Sequence, residues 1–147
     1  MLPSTADRVP NNTSNVVNQQ IRRQTERNVA HYAAAGNWAI DRRLQELDRE
    51  WDMERILEAN AATVSLVGLT LGAAVNRKWF ALPAVVSGFL LQHALQGWCP
   101  PLPVFRRLGV RTATEINEER MALKALRGDF CQAEQNSPRQ VVADLQR

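Results

Sequence analysis

The sequence predicts an all-α membrane protein in which a two-helix transmembrane hairpin, residues 59–98, is flanked by amphipathic cytoplasmic helices. Three observations predict it. Two apolar runs without formal charge lie mid-chain, a short polar link joins them, and the flanking segments carry charged residues at helical spacing. The 147 residues include 16 Arg and two Lys against 15 Asp plus Glu, a net charge of +3. Basic and acidic residues alternate along the same stretches. No one-sided basic face is offered to nucleic acid, which is not expected as a partner. The mean hydropathy of -0.32 averages polar flanks with an apolar centre and hides the centre.

Residues 1–15, rich in Pro, Asn, Ser and Thr, bury too little apolar surface to offset chain entropy and read as a flexible tail. They contain no apolar stretch of the kind a cleavable signal peptide needs, so insertion is expected to come from the internal segment. Residues 16–58 form a charged helical arm. Val17, Ile21, Val29 and Tyr32 mark a helix from Val16 to about Ala35, stopped by Gly36. A second helix starts near Asn37 and places Ile40, Leu44, Leu47 and Trp51 on one stripe. No Gly or Pro interrupts the chain between Trp38 and Val67. This helix is therefore expected to run into the first apolar run as one rod.

The hairpin is read from Ala59 to Trp98. Ala59 to Val75 holds 17 residues and Phe80 to Trp98 holds 19, both without formal charge when His93 is neutral. At helical rise they extend about 26 and 28 Å, close to the ~30 Å hydrocarbon core. Asn76-Arg77-Lys78-Trp79 is the link, short enough to force antiparallel neighbours. Trp79 and Trp98 bracket the second helix as an aromatic belt does, and Arg77, Lys78, Arg106 and Arg107 complete the expected interface anchors. Pro83 falls in the first turn, where its missing N–H costs little. Ala61, Ser65, Gly68 and Gly72 form a stripe of small residues, with a lesser counterpart in Ala84, Ser87 and Gly88. Such stripes let helix backbones approach in lipid, and two uses are open: a homodimer contact, or packing within the hairpin. Gln92, His93 and Gln96 lie within about two turns of Trp98, and a His with no acidic neighbour in its span makes a poor proton relay. Arg49, Arg55, Arg106, Arg107 and Arg111 flank the hairpin against Arg77 and Lys78 in the link, which predicts cytoplasmic termini.

Residues 99–111 form a Pro- and Arg-rich interfacial segment. The prolines of Cys99 to Pro103 are expected to forbid helix, and Arg106 to Arg111 to meet lipid head groups. Residues 112–147 form a C-terminal helical arm. Thr112 or Thr114 can cap it, with Thr112 and Glu115 in capping-box spacing; Ile116, Leu123, Leu126 and Phe130 form an apolar edge, and Gly128 lies near the end. Ser137-Pro138 opens a last helix bearing Val141, Val142 and Leu145. Cys99 and Cys131 are too few for a disulfide framework, and His31 and His93 give no metal-ligand spacing. No nucleophile has an adjacent base and no Gly-rich phosphate loop is present, so neither catalysis nor a cofactor is expected.

The run Leu95-Gln96-Gly97-Trp98-Cys99-Pro100, followed by Leu108-Gly109-Val110, resembles the YgaP-like inner-membrane domain family over the middle third of the chain. Gly97, Cys99 and Pro100 are the matching residues. The resemblance implies a bacterial inner-membrane hairpin with cytoplasmic flanks, able to dimerise and fused in some members to a rhodanese sulfurtransferase. Neither Cys99 nor Cys131 is followed by the Arg- and Gly-rich cradle of a rhodanese loop, so sulfur transfer does not carry over. The expected function is that of an anchor, scaffold or accessory subunit meeting the lipid bilayer and an unidentified cytoplasmic or membrane protein partner. Two alternatives are a thiol-based sulfur or redox protein using Cys99 near Arg106 and Arg107, and a soluble helical interaction protein with the hairpin as its core.

Overall fold

The computed structural model describes residue 4 and residues 6–130 of the chain. Among them are seven α-helices, α1 (Arg8–Asn11), α2 (Asn15–Ala35), α3 (Asn37–Arg49), α4 (Met53–Ala74), α5 (Ala81–Gln96), α6 (Leu102–Arg107) and α7 (Ala113–Arg127), and no strand. A 3-10 turn, Arg77–Phe80, precedes α5. Cys131 and the expected last helix with Val141, Val142 and Leu145 lie outside the described residues.

The chain divides into two compact units. In the unit formed by Gln24–Glu50 and the residues from Asn117 on, the α3 stripe of Ile40, Leu44 and Leu47 is buried with Ala39 and Leu123. Glu119, fully buried, accepts a 2.8 Å hydrogen bond from Arg43 Nε. Gly36 separates α2 from α3 at φ 87, a left-handed conformation open to glycine.

Three expectations change here. The rod from α3 into α4 does not form: Glu50 turns extended (φ -67, ψ 130), and Asp52 caps a new helix by accepting from the Arg55 N–H at 2.8 Å. Trp51 leaves the stripe and is exposed, with the Arg55 guanidinium 4.4 Å from its ring centroid. Residues 1–15 are not a tail throughout, because α1 inserts Val9 among Met53, Leu57, Cys99 and Leu102 in the core of the other unit.

That other unit, Met1–Arg23 with Trp51–Ile116, is built on α4 and α5, which pack antiparallel. Asn76 makes the turn by accepting from the Lys78 N–H at 2.9 Å, and Gly97 ends α5 in the left-handed region with its N–H on the His93 carbonyl. One helical stretch, Asn37–Ala74 taken across the bend at Glu50, is long and apolar enough to cross a membrane. Its 18-residue apolar window has mean hydropathy 1.4 and is 17% buried. By itself α5, at 16 residues, extends about 24 Å and falls short of that length. The prolines after it start a helix instead of forbidding one: Pro101 is the N-cap of α6 and Pro103 lies in its first turn, where a missing N–H leaves no helical bond unmade. The capping box of α7 forms, Thr112 N–H to Glu115 Oε2 at 2.8 Å and Glu115 N–H to Thr112 Oγ1 at 3.2 Å.

Candidate functional site

The polar chemistry of the second unit gathers at the open end of the α4–α5 pair, opposite the Asn76 turn. Asp52 starts α4 so that Glu54 falls in its first turn, and antiparallel packing brings His93, in the last turn of α5, alongside. Glu54 Oε2 lies 3.1 Å from His93 Nε2, and Glu54 Oε1 accepts from Arg8 Nη2 at 2.8 Å. Arg8 also donates to the Ala94 carbonyl at 2.9 Å, and Asn12 to the Gln96 carbonyl at 2.8 Å. Side chains from α1 and the residue after it thus satisfy the last carbonyls of α5, which lack helical partners.

His93 does have an acidic neighbour, though not one within its span. The acid comes from the other helix, 39 positions away. Counting outward from Asn76 does not pair the two positions, and only the packing of α4 on α5 brings them together. Arg8, in the presumed tail, carried no signal either. His93 is 2% exposed. Its Nδ1 has no hydrogen-bond partner among the described residues, and neither has Arg8 Nε.

Beside the His93 ring is a cavity of about 430 Å³, lined by Leu57, Asn60, Ala61, Val64, Val86, Phe89, Leu90, Cys99, Pro100 and Pro101. The Cys99 thiol is buried. Burial pushes its pKa up and the nearby Glu54 charge adds to that, against a bond from the Leu102 backbone. The favoured state is the neutral thiol. The expectation of a thiolate aided by Arg106 fails on geometry, because Arg106 turns to Glu115.

Arg106 is the largest correction among the proposed interface anchors. It is 1% exposed and points into the protein, not toward lipid. Arg111 is also buried, its carbonyl accepting from the Met53 N–H at 2.8 Å. Arg107, Arg77, Lys78, Trp79 and Trp98 are exposed. The small-residue stripe divides. Gly68 and Gly72 are buried against α5 and the turn before it, where an added Cβ meets Pro83 Cδ and the Phe80 ring, each at 2.7 Å. Ala61 and Ser65 are half-buried, whereas Ala84, Ser87 and Gly88 face away from α4 and are exposed. Leu82, Pro83 and Val86 take the inner face of α5 instead.

The described residues contain no group of three or more His, Cys, Asp or Glu side chains able to hold a metal. No family model, no curated protein and no solved structure matches this chain.

Proposed function

We propose that the chain is a small anchor or accessory subunit of the bacterial inner membrane, inserted through α4 and α5 and meeting a protein partner outside the bilayer. The supporting observation is an apolar surface that nothing among the described residues covers. Between Glu58 and Arg77 α4 has no formal charge, nor has α5, yet Leu66 is 64% exposed, Val85 54% and Leu91 62%. Apolar side chains on every face of a helix suit a lipid solvent, and a soluble core helix would be mostly covered. The soluble interaction reading is disfavoured on the same ground.

The short second span is completed by the turn before it. Its 3-10 rise adds about 8 Å to the ~24 Å of α5, and Arg77 and Lys78 there can extend their charges to the interface. Counting basic residues still favours cytoplasmic termini, since the rule acts on the chain as it inserts, before Arg106 and Arg111 are buried. Self-association, which the YgaP-like resemblance implies, would use the exposed Ala84, Ser87 and Gly88 face, because Gly68 and Gly72 are occupied within the chain. Alkaline carbonate extraction of membranes tests the reading: the protein is expected in the pellet, and release into the supernatant would sink it.

A further inference from the structure

We propose that the outward face of α6 meets an anionic phospholipid surface, with Val104 and Leu108 against the acyl chains and Arg107 on the head-group phosphate. The helix has two faces. Leu102 and Arg106, four positions apart, turn inward: Leu102 enters the core with Met53 and Leu57 of the first two turns of α4, and Arg106 is held by Thr13, Asn18 and Glu115. Val104, Arg107 and Leu108 at the C-cap share the other side. There Val104 is 57% and Leu108 74% exposed. The two inward contacts fix the rotation of the helix, so this face stays outward. The Arg107 guanidinium is exposed and has no hydrogen-bond or ion-pair partner among the described residues.

The depth of α6 selects the occupant. Sharing a core with Met53 and Leu57 sets it at the level of Arg55 and Glu58, the last formal charges of α4 before the apolar run. With α4 and α5 inserted, that is where acyl chains give way to head groups, so the inference rests on the membrane reading. A short helix with apolar side chains beside a basic one suits this boundary. A protein partner suits it less, since stable interfaces use about 20–30 residues a side and this face offers Val104, Arg107 and Leu108. The unneutralised guanidinium decides between lipids. A phosphatidylcholine phosphate is balanced by its own choline, whereas phosphatidylglycerol keeps a net negative charge, and one basic residue at such a surface is worth about fivefold in association.

The test uses the full chain in vesicles of equal parts phosphatidylcholine and phosphatidylglycerol. Photoreactive p-benzoylphenylalanine stands in place of Leu108 or, in a second protein, of Leu66, an exposed leucine of α4. Mass spectrometry identifies what each position captures on illumination. Position 108 is expected to capture lipid with phosphatidylglycerol favoured about fivefold, and Arg107→Gln should bring the two lipids toward equal yield without altering capture at position 66. Because no contact of the Arg107 guanidinium is lost, the variant tests charge and not folding. Lipid captured at position 66 but none at 108 would overturn the proposal and leave the membrane reading standing. No lipid at either position would overturn both. Equal capture of the two lipids at 108, a phosphatidylglycerol preference that survives Arg107→Gln, or a protein adduct at 108 marking a second copy on this face would each overturn the proposal alone.

Discussion

The Arg106 guanidinium and the Glu115 carboxylate hold each other through two parallel hydrogen bonds, Nη1 to Oε2 at 2.7 Å and Nη2 to Oε1 at 2.8 Å. The other three donor positions are filled by Thr13 Oγ1, the Val110 carbonyl and Asn18 Oδ1. One arginine therefore ties the residues after α1, the start of α2, α6 and the cap of α7. Replacing it with Met leaves the Glu115 carboxylate without its charge partner, and should cost about 3–5 kcal/mol. Arg106→Lys should recover little, because an ammonium lacks the planar fork. Thermal unfolding followed by helical circular dichroism measures both.

Acid should weaken the same clasp. Burial pushes the Glu115 carboxyl up, but the Arg106 hydrogen bonds, a backbone bond from Thr112 and the Arg106 charge outweigh it, so the net shift is downward from 4.5. A depressed pKa in the folded state contributes stability that is complete above the unfolded value and is lost as pH falls through the folded value. Unfolding midpoints of the wild type should drop as pH goes below about 4.5. In Glu115→Gln that part of the drop should be missing. Parallel acid profiles for the two proteins would remove Glu115 as the cause.

Gly68 and Gly72 separate two uses of a small-residue stripe. Gly68→Ile and Gly72→Ile must push Pro83 or Phe80 aside, and each should lower stability by about 1–3 kcal/mol with no change of molecular mass in light scattering. Gly88 has nothing within 4 Å of an added Cβ. Gly88→Ile should leave unfolding unchanged, and any fall in mass it causes locates self-association on α5.

At Gly97 two constraints coincide: φ is 76, and an added Cβ would stand 2.5 Å from the Arg8 carbonyl oxygen. Gly97→Ala should cost more than the roughly 1–2 kcal/mol of a left-handed alanine. Deleting residues 1–12 should reduce the cost of Gly97→Ala toward that smaller figure. A cost that the deletion leaves unchanged would exclude the Arg8 contact as its source.

Cys99 should resist iodoacetamide in the folded protein and react at an ordinary thiol rate once denatured, because burial blocks access and disfavours the thiolate. Mass spectrometry of the Cys99 peptide reads both rates. Fast labelling of the native protein would revive the thiol-based function.

What the sequence disclosed was mostly local. Gly36 between two helical patterns and the Thr112–Glu115 box involve residues a turn apart, and both signals survive in the structure. The α3–α4 break was also local but was passed over, since an Asp at an N-cap followed by Glu in the first turn marks a helix start as firmly as Gly or Pro marks an end. The remaining misses are long-range. Val9 is apolar in a polar stretch, and only the distant Met53, Leu57, Cys99 and Leu102 give it a core to enter. Arg106 reads as an interface cation until Asn18 and Glu115, 88 and 9 positions away, come to it. The His93–Glu54 pair needs the register of the hairpin, which periodicity in either helix alone does not supply.

The bonds from Arg8 to the Ala94 carbonyl and from Asn12 to the Gln96 carbonyl bridge 86 and 84 positions. During synthesis α1 therefore has no docking place until α5 and Gly97 have followed it out of the ribosome. α1 is made before α5 and docks after it. A nascent chain halted at residue 80 should leave residues 8–12 open to protease, whereas one extended past residue 107 should protect them, so these residues report when the α4–α5 pair is complete.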